Sequence, residues 1–188
     1  MTRWTAIVPM KAEGKRKTRL AGSVSRAGRE ELSENLFYHV VRTLRHCPSI
    51  GRVVLLSDGP PLMAGLDWIA DAGGGLNAEL ARALSAVSRP ALIVHADLPL
   101  LEVDDVEALI VAARTGAAIA PDDRQTGTNA VALADDRAFT PMFGPGSFER
   151  HRRQAPDAAV VTGRVGLALD IDTAEDLQAA VRLGFSDQ

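Results

Sequence analysis

ALIVHADLPLL, residues Ala91 to Leu101, is the stretch whose reading decides the fold. Its apolar residues Ala91 to Val94, followed by Ala96 after one polar His95, do not alternate with polar ones. A run of this kind describes a strand buried on both faces, as central strands of parallel sheets are. Such a strand, ending in Asp97, delivers a carboxylate to the sheet's carboxyl edge, where open α/β sheets bind ligands. Pro99 has no amide hydrogen for a ladder and ends the strand. Glu102 to Asp105 then open an apolar-periodic helix with acidic residues in its first turn, where the helix dipole favours them. Taken alone, Asp97 reads equally well as a turn former or helix cap, so the decision rests on the rest of the chain.

Towards the amino end, Trp4 to Val8 is a short apolar strand stopped at Pro9. MKAEGKRKTRL, Met10 to Leu20, follows directly and crowds Lys11, Lys15, Arg16, Lys17 and Arg19 into one loop. If this strand runs parallel to the central one, the loop shares the edge that carries Asp97 and could receive a polyphosphate. The plain alternative is a solvated charged loop. Neither GxxxxGK[ST] nor GxGxxG is present. Leu32, Leu36, Phe37, Val40, Val41 and Leu44 recur at helical spacing and predict a long amphipathic helix from Arg29 to Cys47. Arg52 to Ser57 is a second strand, so strand, helix and strand imply a right-handed parallel crossover. Leu66 to Ala70 is a weaker third strand. The loop Asp71 to Leu76 holds Gly73, Gly74 and Gly75, which allow backbone to approach a ligand, and Asn77 is expected to cap a helix running to Val87.

Towards the carboxyl end, Ala117 to Ala120 is a strand leading into a polar loop, Asp122 to Asn129, with Thr126, Gly127 and Thr128. Another strand is expected over Ala130 to Ala134. FGPGSFERH, Phe143 to His151, makes a tight turn with Ser147 as the expected N-cap of a helix through Arg153, and free N–H groups at a helix start bind anions. After a short strand, Ala159 to Thr162, a last one is expected over Leu167 to Ile171, running into Asp170 and Asp172. Residues two apart on a strand face one way, so these two carboxylates can aim at one point and suit Mg²⁺, although Asp-x-Asp alone is weak evidence. Thr173 to Asp176 resembles a capping box opening the terminal helix.

A chain of 188 residues makes one domain with a full core, residues 1–188, and no repeat or linker interrupts it. A net charge of −3 argues against a generally basic surface that coats nucleic acid. No apolar stretch reaches the roughly 20 residues of a membrane span, so a cytoplasmic protein is expected. The lone Cys47 cannot form an internal disulfide and reads as a small buried hydrophobe. No serine or cysteine is paired with a base, which argues against acyl chemistry. Cations for phosphates and carboxylates for a metal are instead what phosphoryl or nucleotidyl transfer requires.

VPMKAEGKRKTRL, HADLPLL, TGTNA, FGPGSF and GLALDIDTAEDL, taken together and in order, resemble the guanylyltransferase family of coenzyme F420 biosynthesis. That family activates 2-phospho-L-lactate, phosphoenolpyruvate or 3-phospho-D-glycerate with GTP. The likeness spans essentially the whole chain, and GPGSF with LDIDT is its most specific part. It implies a single-domain, Rossmann-related, MobA-like nucleotidyltransferase of α/β class, with a mostly parallel central sheet and helices on both faces. It also implies Asp97, Asp170 and Asp172 as ligands of catalytic Mg²⁺, and Thr128, Gly144 and Ser147 as the acceptor site. Lys17, with Lys11 and Arg19, would neutralise the triphosphate, Lys17 and Asp97 acting at the reacting centre. GPPLMAGLDW looks shortened against the family pattern, and guanine would fall to Gly75, Leu76 and Asn77.

The mechanism so implied is an in-line displacement in which the acceptor's phosphate attacks the α-phosphorus of GTP and pyrophosphate leaves. A phosphate monoester, with a second pKa of about 6, is already anionic at neutral pH, so no general base is required. His95 and His151 are accordingly expected to be hydrogen-bonded core residues without a catalytic role. The expected partners are GTP and a three-carbon phospho-acid, with no nucleic acid and no membrane, and a homodimer is compatible with this reading. The rival readings are a MobA-like enzyme for another acceptor, such as a molybdopterin or sugar phosphate, a metal-dependent glycosyltransferase using Asp-x-Asp on a nucleotide-sugar, and a non-catalytic nucleotide-binding module.

Overall fold

The computed structural model describes residues 3–10, 17 and 20–186. One seven-stranded sheet is built from β1 (Trp4–Pro9), β2 (Ile50–Ser57), β3 (Asp67–Ala70), β4 (Ala91–Val94), β5 (Ala117–Pro121), β6 (Thr128–Leu133) and β7 (Ala159–Val160). Their order is β3-β2-β1-β4-β6-β5-β7. The pairs β1/β2, β1/β4, β2/β3 and β5/β7 are parallel, whereas β6 runs antiparallel to both β4 and β5. The sheet is therefore mostly parallel, as expected, and β1 and β4 send their carboxyl ends to one edge.

Helices cover both faces, and the period of two along each strand decides which residue meets which layer. Ala6, Val8, Leu92 and Val94 pack against α1 (Arg26–His46) and α3 (Val103–Ala112) through Phe37, Val40, Leu44, Val106 and Leu109. The intervening Ile7, Ala91 and Ile93 face the other way, onto Leu80 and Leu84 of α2 (Leu76–Ala86) and Phe148 of α4 (Ser147–Gln154). All four residues of β4 are buried, which is why this segment carries no polar alternation. Full burial of each such Val, Leu or Ile contributes roughly 1.5–3 kcal/mol. Ser25 caps α1 by accepting from the Gly28 amide at 3.1 Å, and α1 ends ahead of Pro48, as the helical periodicity predicts.

The carboxyl-terminal part departs from expectation. Leu167 to Ile171 is not a strand: α5 (Val165–Ala168) comes first, and an extended segment then crosses the sheet's edge. The place beside β5 is taken by β7, so this segment cannot join the ladder. Its Leu169 and Ile171 instead fill a third cluster with Leu20, Leu32, Leu36 and Ala180 of α6 (Ala174–Arg182). Alternation of apolar residues here reflects packing against helices. The polar loop is also shorter than expected, because Thr128 and Asn129 already belong to β6 and are buried. The capping box of α6 forms as anticipated, with Thr173 Oγ1 accepting from Asp176 N and Asp176 from Thr173 N. Among the described residues, no helix is long and apolar enough to cross a membrane.

Candidate active site

Three chain segments meet at the carboxyl edge. Asp97 lies in the turn after β4, where His95 N donates to Asn129 O of β6 at 3.0 Å. Asp170 and Asp172 lie on the extended segment after α5, and Ile171 N donates to Asp97 O at 3.1 Å, clamping that segment to the turn. The close seating of α5 depends on Gly166, where any side chain would collide with Leu100 O and Asp105 Oδ2. One carboxylate oxygen from each of Asp97, Asp170 and Asp172 lies within 4.8 Å of the others. Asn129 Nδ2 reaches Leu167 O at 3.0 Å, Ala168 O at 3.1 Å and Asp170 Oδ1 at 3.4 Å, so β6 helps to position the third carboxylate.

Lys17 is the counter-charge among these groups. Its Nζ donates to Asp97 Oδ2 at 2.8 Å and to Ile171 O, and lies 3.8 Å from Asp172 Oδ1. Its backbone holds a φ of 48°, a left-handed conformation uncommon for a lysine. Even with this ammonium present, the Asp170 carboxyl is pushed up to about 7, first by burial and then by the neighbouring charges of Asp97 and Asp172. Three converging carboxylates with one amine thus carry more negative charge than the site neutralises, and hard oxygens at this spacing fit a divalent cation such as Mg²⁺. Lys11 and Arg19 lie outside the described residues.

A cleft of about 390 Å³ opens from this cluster. Its lining combines Lys17, Asp97 and Asp172 with Met10 and His95 and with Asp71, Gly73, Gly75, Leu76 and Glu79 of the glycine loop and α2. The glycine loop is held by its neighbours: Glu79 Oε1 accepts from Gly74 N at 3.0 Å, and Asp71 Oδ1 accepts from Gly73 N at 2.7 Å. Glu79 is itself buried and paired with Arg82 at 2.6 Å. Sequence reasoning missed Glu79 and Asn129; the signal for the former was a carboxylate in the first turn of the helix that follows three glycines.

Two expected caps are corrected. The N-cap of α2 is Gly75, with φ 88°, and not Asn77. Asn77 uses its amide as a two-way clamp, Nδ2 donating to Phe143 O at 3.1 Å and Oδ1 accepting from Phe143 N at 2.7 Å. That amide is committed to joining α2 to the loop before α4, which argues against a contact with guanine. The N-cap of α4 is likewise Gly146, in the left-handed conformation, and not Ser147. A glycine takes this conformation without the strain that a serine would meet. Ser147 is the first helical residue, fully buried, and its hydroxyl has no hydrogen-bond partner among the described residues. Thr128, Gly144 and Ser147 therefore gather around the start of α4, where Phe148 N donates to Thr126 O at 3.2 Å. They do not line the cleft itself. Cys47 is buried and its thiol is pushed up to about 11, first by burial, then by a hydrogen bond to Glu107, consistent with an inert residue.

The fold and the edge constellation define a class. Over 97% of this chain and 96% of the other, the structure superposes on 4-diphosphocytidyl-2C-methyl-D-erythritol synthase from Anaerococcus prevotii with a TM-score of 0.60 at 14% identity. A nucleotidyl transferase from Methanothermobacter gives 0.63 at 12% identity, over 97% of this chain and 99% of that one. The architecture is thus that of the nucleotidyltransferases with the nucleotide-diphospho-sugar transferase fold. At higher resolution in sequence, residues 4–185 match the family described as "Guanylyl transferase CofC like". The chain is 36% identical to the phosphoenolpyruvate guanylyltransferase of Sphaerobacter thermophilus, covering 92% of this chain and 90% of the relative. It is 37% identical to that of Rubrobacter xylanophilus with the same coverage, and 31% to that of Streptomyces coelicolor over 96% and 91%. The chain belongs to the CofC-like guanylyltransferase family. An enzyme of this kind is neither a glycosyltransferase nor a passive nucleotide-binding module.

Proposed function

We propose that this enzyme moves the guanylyl group of GTP onto the phosphate of a three-carbon phospho-acid, within coenzyme F420 biosynthesis. Phosphoenolpyruvate is the foremost acceptor, because the curated relatives bear its name; 2-phospho-L-lactate and 3-phospho-D-glycerate share its phosphate and carboxylate. The observation that carries the reading is the convergence of Asp97, Asp170, Asp172 and Lys17, of which Lys17, Asp97 and Asp172 line a cleft that the glycine loop also lines. A nucleoside triphosphate suits this lining, with its base and ribose assigned to the glycine loop and its phosphates to Lys17.

An acceptor phosphate oxygen forms a bond to the α-phosphorus as the bond to the bridging oxygen breaks, pyrophosphate carrying away that electron pair. The product holds a diphosphate bridge. The nucleophile is already ionised at neutral pH, so no residue has to remove a proton, and the chain's task is positioning and charge stabilisation. Lys17 offsets negative charge on the triphosphate. Thr128, Ser147 and the Gly144 backbone hold the acceptor's anionic groups. Asp97, Asp170 and Asp172 would hold Mg²⁺, which when bound supplies charge neutralisation at the phosphates.

The test is pyrophosphate release by purified enzyme given GTP, CTP or ATP with each of the three phospho-acids, with Mg²⁺ or with excess chelator. Turnover that needs GTP, one of those acids and the metal is expected. Pyrophosphate release with none of these acids, or undiminished turnover in chelator, would overturn the acceptor or the metal assignment respectively.

A further inference from the structure

We infer that His151 is a positioning residue for the acceptor, committing the Thr128 hydroxyl to act as a donor towards the acceptor's anionic group. The inference rests on the acceptor site proposed above. His151 is fully buried, and both its ring nitrogens are engaged: Nε2 lies 2.9 Å from Met142 N, and Nδ1 lies 3.0 Å from Thr128 Oγ1. A backbone N–H can only donate, so Nε2 is the lone-pair nitrogen, and a neutral ring must carry its proton on Nδ1. The ring is held neutral well below its ordinary range, at about 4, first by burial and then by Arg150 and His95. Nδ1–H therefore donates to Thr128 Oγ1.

A hydroxyl oxygen that accepts this bond still has its own proton to place. Thr128 is buried at the start of β6, so bulk water is a poor recipient. On α4, Ser147 and His151 stand four residues apart and share one helix face, which brings the Ser147 hydroxyl, unpartnered among the described residues, to the same side as the Thr128 contact. Two buried hydroxyls, one oriented by a neutral imidazole and one without a hydrogen-bond partner among the described residues, are donors for an anion seated at the start of α4. The ring also ties this donor to the loop that shapes the site, because Met142 N is its other partner and Asn77 pins the adjacent Phe143. Phe143 packs its ring 4.8 Å from His151. No proton leaves His151 in this role, in keeping with a reaction that needs no general base.

Two measurements on the full-length enzyme test it. Nitrogen-15 spectroscopy of the imidazoles should show the Nδ1–H tautomer of His151 from about pH 5.5 to about pH 8. In steady-state kinetics with phosphoenolpyruvate and GTP, Thr128→Val and His151→Phe should each raise the acceptor's KM about tenfold or more while the KM for GTP stays put. The double variant should be no worse than Thr128→Val alone, and His151→Asn, whose amide can still donate, should recover part of the loss. An Nε2–H tautomer, or losses that multiply in the double variant, would overturn the inference while leaving the acceptor site in place. An unchanged acceptor KM in Thr128→Val would instead overturn the acceptor site itself. If His151→Phe fails to fold, the tautomer of the wild-type ring still decides.

Discussion

At the scale of single residues, Asp170 carries a buried charge that works against stability. Its carboxyl ionises near 7 in the folded protein, mainly because burial penalises the charge, with Asp97 and Asp172 adding repulsion, against about 3.9 for an unstructured aspartate. Below about pH 4 both folded and unfolded chains hold the proton, and the group contributes nothing to the pH dependence. Between about 4 and about 7 the unfolded chain releases it first, so this group lowers stability as pH rises, and above 7 the full penalty remains. Without metal, Asp170→Asn should therefore melt at a higher temperature than wild type at about pH 8, with the difference shrinking as pH falls through 7. Mg²⁺ should raise the melting temperature of wild type at pH 8 and do so far less in the variant, which should also lose turnover. Identical melting curves for the two proteins at high pH, with and without metal, would remove Asp170 from the ion's surroundings.

At the scale of elements, α2 and the glycine loop before it act as one unit. Gly73 to Gly75 carry no side chains to pack, so the loop's shape comes from Asp71 and Glu79 accepting its amides, with Arg82 steadying Glu79 and reaching Ala70 O. Glu79→Ala should loosen this loop. The expected result is a several-fold higher KM for GTP, an unaltered KM for the acceptor, and faster hydrogen exchange at the Gly74 amide. Damage confined to the acceptor would place Glu79 outside the nucleotide's part of the cleft. The same element explains a mistaken expectation. Asparagine is a favoured N-cap, and Asn77 follows a glycine run, but a left-handed Gly75 already performs the cap and frees the Asn77 amide for Phe143. Ser147 follows the same logic, with Gly146 as the cap and the hydroxyl left over.

At the scale of the molecule, the fold brings Asp97 together with Asp170 and Asp172 from two distant parts of the chain; if they hold one ion as proposed, their effects should not be additive. Asp97→Asn and Asp172→Asn should each remove most activity, and the double variant should be little worse than either. Losses that multiply would mean independent roles. Much of this design was legible in the chain: β4 is an unbroken apolar run, β1 and β2 are built around the apolar stretches Ala6 to Val8 and Val53 to Leu56, α1 and α3 carry a helical period, and α6 opens with a capping box, because burial on one or both faces writes its period into consecutive residues. Asp97 stood out because it follows such a run, and Asp170 and Asp172 because they stand two apart. What periodicity could not convey is which partner an element takes. LALDI alternates like a strand, yet β7 occupies the place beside β5, so the same alternation is satisfied against α1 and α6. Thr128 and His151 carry no shared local pattern, and the antiparallel insertion of β6 brings Thr128 to the His151 ring. Side-chain period is a local property of covalent order and burial, so the sequence by itself determined most of the elements and singled out the carboxylates. Pairing, capping and the tautomer of a buried ring depend on competition among distant groups for the same hydrogen bonds and space, and only the tertiary structure decided them.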